Sequence, residues 1–379
     1  MSNIIDFLET FLPGFVLALG VIIISAIVFP FVARRILGFI GDRLGPNRVG
    51  PQGLLQPFAD FLKLFIKEDI TPAQANRMLF ILAPAVALVT PMLTQVVIPF
   101  SESYTLADLN IGLIYIVAVG AFSVLGMLIA GWASNNKYSL VGGLRSAAQM
   151  ISYEIPLILT IVLVAILAGS LSLNKVVGAQ DSVWFAAVQP LAFIIYFIAG
   201  VAELNRTPFD LPEAESELVS GYITEYSGMR FAFLYGLVEW GNVTVWAMAG
   251  STLFLGGWRG PFANSSAWLA LKVIAMVLVI IWFWGTFPRL QIDQLMAFAW
   301  KVLIPLSLVN VGATSLFVLI WPDNFLLPTA ILSWSLIALF IAFFPSFIRK
   351  ILLRNRLKFL ATRRMTTVIS GTGKGGIRS

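Results

Sequence analysis

The sequence predicts an all-α polytopic membrane protein of about nine transmembrane helices, with one interfacial amphipathic helix in its first inner loop. Three observations predict it. Of the 379 residues, 59% are hydrophobic and only 12% are charged, and mean hydropathy is +0.89, whereas soluble domains carry about a quarter charged residues. Nine mostly apolar segments approach the roughly 20 residues that a helix needs to cross the hydrocarbon. Lys and Arg fall overwhelmingly on one side of those segments, as membrane topology imposes.

In order, the segments are about 10–33, 78–99, 111–133, 150–170, 184–203, 231–256, 268–287, 302–321 and 326–347, the last two separated by the short turn WPDNF. The N-terminus, MSNIIDFLETFLPGF, is acidic before its apolar run and lacks a small-residue cleavage site, so the first segment reads as a retained span rather than a signal peptide. With the N-terminus outside, inner segments hold 22 of the 25 basic residues, leaving Lys175, Arg259 and Lys272 on or near the outer side. The expected division is one transmembrane domain over 1–347 and a basic cytoplasmic tail over 348–379. Arg349, Lys350, Arg354, Arg356, Lys358, Arg363 and Arg364 suit a tail helix lying against anionic headgroups or a partner.

Composition also excludes chemistry. The chain has no Cys and no His, which rules out Cys-ligated iron–sulfur clusters, His- or Cys-ligated haem and the usual structural zinc sites. Cysteine usage therefore says nothing about redox compartment. A net charge of +6 does not make a nucleic-acid binder here, because the basic residues follow topology and no aromatic-interleaved basic stripe exists. The GTGKGG of the tail lacks the spacing, preceding strand and following helix of a phosphate loop.

The inner loops carry the polar information. In the first, Gly45–Pro51 holds two Gly-Pro pairs that cannot continue a helix. From Gln52 to Lys67, the residues Gln52, Gln56, Asp60, Lys63 and Lys67 recur at intervals of three and four, with Leu55, Phe58, Leu62, Phe65 and Ile66 between them. That pattern is an amphipathic helix too short to span, on which Asp60 and Lys63 are placed to pair. The third inner loop holds six of the 19 acidic residues, Glu203, Asp210, Glu213, Glu215, Glu217 and Glu225. Glu213 and Glu217 fall one helical turn apart on a common face, with Glu215 turned away. The series is interleaved with Pro208, Phe209, Leu211, Pro212, Leu218, Val219 and Tyr222. A charge run is usually a solvated surface, but carboxylates grouped and partly withdrawn from water raise one another's pKa and titrate as a coupled set. Glu154 and Glu239 lie inside apolar segments, where an ionisable residue costs about 2.5 kcal/mol or more and is a functional candidate, although one near a span end can snorkel.

GPNRVGPQGLLQPFADFLKLFIKED, NNKYSLVGGLRSAAQMISYEIP, AELNRTPFDLPEAESELVSGYITEYSGMRF and TFPRLQIDQLMAFAWKVLIPLSLVN together resemble the H-subunit family of complex I-type NADH–quinone oxidoreductases, known in mitochondria as subunit 1. The likeness covers roughly residues 12–321. It implies a membrane subunit at the junction of the peripheral and membrane arms, forming much of the quinone chamber and its mouth in the bilayer. Arg34, Arg43, Arg48 and Asp60 match positions that line or support that chamber. Glu154, Glu203, Asp210, Glu213, Glu215, Glu217 and Glu225 match the acidic series leading from it into the membrane arm, and Arg206 matches a basic partner within the series. The resemblance further implies quinone as a substrate bound at the subunit interface, with FMN and iron–sulfur clusters only on partner subunits. Those partners are the peripheral-arm subunits of the quinone site and terminal cluster, and the adjacent membrane-arm subunits. The location implied is a bacterial plasma or inner membrane.

Three departures from the family pattern stand out. Ala33 stands where a Glu is common, and Trp284 and Gln291 stand where two Arg are common, which removes charge near the expected tunnel mouth. Glu239 lies fourteen residues after Glu225 instead of thirteen, and one extra residue turns a helix by about 100° unless a π-bulge absorbs it. The resemblance also admits the homologous membrane anchor of a membrane-bound hydrogenase or a ferredoxin-driven dehydrogenase, against which the near-complete first-loop string speaks. A secondary transporter would show inverted repeats and broken helices; the sequence suggests neither.

Overall fold

The computed structural model describes residues 2–213, 215–261, 264–322 and 324–342, with the backbone alone for residues 2–12, 215 and 216. The tail expected over 348–379 and the end of the ninth segment beyond Ala342 lie outside the described residues.

Among the described residues the structure is helical, without strands. α1 (Ser2–Ile40) leads through a turn to α2 (Gln56–Ile66), α3 (Arg77–Gln95), α4 (Gly112–Ala133) and α5 (Lys137–Ala168). Short helices α6 (Leu173–Gly178) and α7 (Phe185–Val188) precede α8 (Pro190–Glu203), and α9 (Glu215–Leu218) lies in the acidic loop. α10 (Gly228–Phe231), a π-helical segment Ala232–Val238 and α11 (Glu239–Phe254) run on without a break. α12 (Ser266–Thr286) follows, then α13 (Ile292–Phe298), a second π segment Ala299–Leu303 and α14 (Ile304–Ile320), and finally α15 (Leu326–Ala342).

Each of the nine apolar segments has a helical counterpart, and among the described residues six helices are long and apolar enough to cross a membrane. The chain is a polytopic helical membrane protein. Several bounds differ from those read in the sequence. The fourth helix begins at Lys137 instead of 150, because the Asn136 side chain caps it by accepting from the Tyr138 amide. The eighth begins at Ile292, capped by Gln291 and Gln294 acting reciprocally. The fifth is broken at Gln189, so α8 has only 14 residues and is about 21 Å long. A broken helix is therefore present after all. Neighbouring helices hold the break: the Leu191 backbone amide donates to Ser333 Oγ, and the Gln189 side-chain amide donates to Thr314 Oγ1 and the Thr329 carbonyl.

The interfacial helix also starts later than the polar stripe suggests. Gly50 and Gly53 have φ of +72° and +81°, and Gln52 itself sits at φ +53°, a left-handed run that no α-helix contains. α2 therefore begins at Gln56, and Gln52 accepts instead from the Arg35 guanidinium. No residue of α2 is buried; Phe58, Phe61, Leu62, Phe65 and Ile66 are all exposed.

Two apolar cores share α5. One joins α3, α4 and α5 with Tyr222 and Tyr226 of the acidic loop, where Phe80 and Tyr226 stack at 4.1 Å. The larger one is built by α5, α8, α11 and α12. The acidic loop is thus packed against helices, not suspended in solvent.

Candidate functional site

In the acidic loop between α8 and α10 lies Arg206, 4% exposed. Its guanidinium donates to Glu239 at 2.9 Å and lies over the Trp240 ring at 4.8 Å and the Trp284 ring at 5.1 Å. Glu239 is 7% exposed and also accepts from the Tyr222 hydroxyl at 3.2 Å, while Glu213 Oε1 is 3.5 Å from that hydroxyl. Glu213 and Glu239 thus meet at one hydroxyl, close enough for their charges to interact. One cation and two carboxyls therefore share a site largely closed to water. Burial, and then the neighbouring Glu239 charge, push the Glu213 carboxyl well above the usual carboxylate range, opposed by Arg206.

The fourteen-residue interval from Glu225 to Glu239 is resolved by the π segment Ala232–Val238, which lies between them. A π-bulge takes up one residue without turning the helix beyond it, and Glu239 faces Arg206. Trp284 lies beside Arg206, and Ala33, 1% exposed, belongs to the same core as Trp240, against which Trp284 packs.

Residues outside the acidic series hold this loop. Gln149 of α5 donates to the carbonyls of Ala202 and Phe209, both at 2.7 Å, and to the Asn205 side chain. Gly221 has φ +57°, and a Cβ there would meet the Pro212 carbonyl oxygen, so only glycine fits the turn that presents Tyr222. The two inner loops are stapled together by Arg230, which pairs with Asp69 at 2.9 Å and donates to Thr71. Ser227 completes the staple, accepting from the Ile70 amide and donating to the Glu68 carbonyl.

The remaining acidic residues separate into distinct places. Glu154 and Glu203 face one cavity of about 90 Å³ between α3, α4, α5, α8 and α11, with Thr90, Ser123 and Asn242, room for several waters. Asp210 pairs with Arg289 at 2.7 Å; burial and Glu213 push its carboxyl up to about 6, against the pull of Arg289. Glu213 and Glu217 do not share a face. Glu213 precedes the short α9 and turns inward to Tyr222, while Glu217 is exposed and pairs with Arg145. The Glu215 side chain lies outside the described residues. Glu225 accepts from Asn136 and borders a separate open pocket of about 500 Å³ with Gln74, Asn135 and Lys137.

In the first inner loop, Asp60 pairs with Arg34 at 2.7 Å and accepts from Gln56, not with Lys63 as the helical spacing suggests. Arg43 and Arg48 are exposed in the turn and have no ion pair among the described residues. Sequence reasoning missed Gln149 and Arg289, the contact of Trp284 with Arg206, and the contact of Tyr222 with both carboxyls. Their side-chain types are ordinary for helices and loops, and only proximity gives them meaning.

Residues 14–315 match the family model described as NADH dehydrogenase. A relative from Dehalococcoides mccartyi (strain CBDB1), named as the H-subunit of NADH-quinone oxidoreductase, is 51% identical over 318 residues, covering 84% of this chain and 90% of that protein. A protein of the same name from Bacillus thuringiensis (strain Al Hakam) is 52% identical over 288 residues, covering 75% and 86%.

Proposed function

The chain belongs to the NADH dehydrogenase family, and from that membership we propose that it is a quinone-chamber and proton-coupling membrane subunit of a complex I-type NADH–quinone oxidoreductase. The observation that carries this is the buried group of Arg206, Glu213, Tyr222 and Glu239, in a loop stapled to the first inner loop by Arg230.

Reducing a quinone takes up two electrons and two protons, and negative charge develops near the head group before protonation is complete. With one proton on Glu213, the Arg206–Glu239–Glu213 group is neutral; with none, it carries one negative charge. A buried group that exchanges one proton between close alternatives responds to a nearby change of charge by moving that proton. Arg34, Asp60, Arg43 and Arg48 give the first inner loop the polar side of a quinone chamber, while the exposed apolar residues of α2 suit a helix in the membrane interface. The Glu154 and Glu203 cavity gives the relay room for water on the way into the membrane arm.

Electrons arrive from partner subunits bearing FMN and iron–sulfur clusters, since this chain lacks the Cys and His to ligate them. The chain lies in a bacterial plasma membrane as one transmembrane domain, its N-terminus outside and its basic tail in the cytoplasm. Glu213→Gln in the assembled complex tests the reading. It is expected to abolish quinone-linked turnover while NADH oxidation by an artificial acceptor persists; unaffected quinone reduction would remove the acidic loop from the coupling path.

A further inference from the structure

Tyr222 is 1% exposed, and its single hydroxyl faces two carboxyls, Glu239 at 3.2 Å and Glu213 at 3.5 Å. A hydroxyl has one hydrogen and two lone pairs, so it cannot donate to both acids at once. The Tyr222 hydroxyl is satisfied as both donor and acceptor when Glu213 carries a proton and donates to Tyr222 Oη, while Tyr222 donates to Glu239 and Arg206 donates to the other Glu239 oxygen. The four side chains then form one directed chain. We propose that the Tyr222 hydroxyl is the bridge through which a proton passes between Glu213 and Glu239.

The step rests on the proton-handling role proposed above, and it balances without a further reactant. The Glu213 O–H bond breaks as its proton bonds to Tyr222 Oη, and the Tyr222 O–H bond breaks as that proton bonds to Glu239. Glu213 ends as carboxylate, Glu239 as carboxylic acid and Tyr222 as neutral phenol. No tyrosinate has to form. That matters because burial and the two carboxyls push the Tyr222 hydroxyl well above its ordinary value. Arg206, whose guanidinium lies over the Trp240 and Trp284 rings, donates to Glu239 at 2.9 Å and so places its cation at the Glu239 end of the bridge. The other titratable groups that bear on the bridge are Tyr235, close enough to Arg206, Glu239 and Glu213 to interact with them, and Asp210, close enough to Glu213 for their charges to interact.

The test is made on the whole complex in proteoliposomes, with quinone-linked turnover normalised to artificial-acceptor NADH oxidation and Glu213→Gln run alongside. Tyr222→Phe keeps the ring and removes the bridge. It is expected to lower normalised turnover about a hundredfold, the usual scale for losing a positioned proton-transfer group, with quinone KM unchanged. Turnover near the wild-type level in Tyr222→Phe, with Glu213→Gln inactive, would mean that the two carboxyls exchange directly; the bridge would fall and the proposed function would stand. Near-normal turnover in both variants would remove the proton-handling role, and the bridge with it. If Tyr222→Phe assembles poorly, a fluorotyrosine at position 222 decides, because it keeps ring and hydroxyl but releases its proton more readily. A shifted pH profile and altered solvent isotope effect support the bridge, and unmoved values overturn it.

Discussion

Replacing Glu239 with Gln tests the electrostatics of the buried group directly. The carboxamide keeps the size and can still accept from Tyr222, so the main change is loss of one charge opposite Arg206, which is 4% exposed. Removing one partner of a buried ion pair costs about 3–5 kcal/mol because the other charge is left uncompensated. The lower figure corresponds to roughly a hundredfold change in an equilibrium constant. While Glu213 stays protonated, Arg206 escapes that cost by undocking the loop held by Gln149. Amides of residues 204–213 should therefore exchange with solvent about a hundredfold faster by hydrogen-exchange mass spectrometry of the intact complex. The same substitution removes a negative neighbour of Glu213 and leaves Arg206, so the Glu213 carboxyl binds its proton less tightly. The alkaline limb of quinone-linked turnover then moves to lower pH. Unchanged exchange in residues 204–213, together with an unmoved pH profile, would refute this account of the pair.

Two further outcomes follow from the same geometry. Deleting Gly236 from the π segment should return residues 232–238 to α-helical winding and leave Glu239 facing Arg206; retained quinone-linked turnover is expected, and loss matching Glu239→Gln would contradict it. Asp210 has a folded-state pKa of about 6, above its ordinary 3.8, so the folded protein binds this proton more tightly than the unfolded one. The stability this confers is fully present below the unfolded value and is lost as pH rises through about 6. Melting temperatures of wild type and Asp210→Asn should therefore diverge across that window, with wild type losing ground as pH rises; a constant difference would contradict the assignment.

The helices were legible because hydrophobic length is written in consecutive residues. The break at Gln189 was not, because it is stabilised by Thr314, Thr329 and Ser333 from more than a hundred residues away. Glu239 illustrates the division well. Its depth and its fourteen-residue interval could be read, but not whether a π segment restores its direction, since π winding depends on tertiary packing. Asp60 had a plausible local partner in Lys63, and the longer-range Arg34 took its place. Glu213 and Glu217 looked equivalent by spacing, yet Glu213 lies in a turn ahead of α9, so helical periodicity does not apply to it. Trp284 gave no sign of binding a cation, because the guanidinium it covers comes from another segment.

The most direct test of the central claim is the infrared difference spectrum of the intact complex between its oxidised-quinone and reduced-quinone states. The account predicts a carboxylic C=O stretching change from Glu213 on quinone reduction, absent in Glu213→Gln and altered in Tyr222→Phe. A difference spectrum in the carboxyl region that is the same in wild type and Glu213→Gln would contradict it.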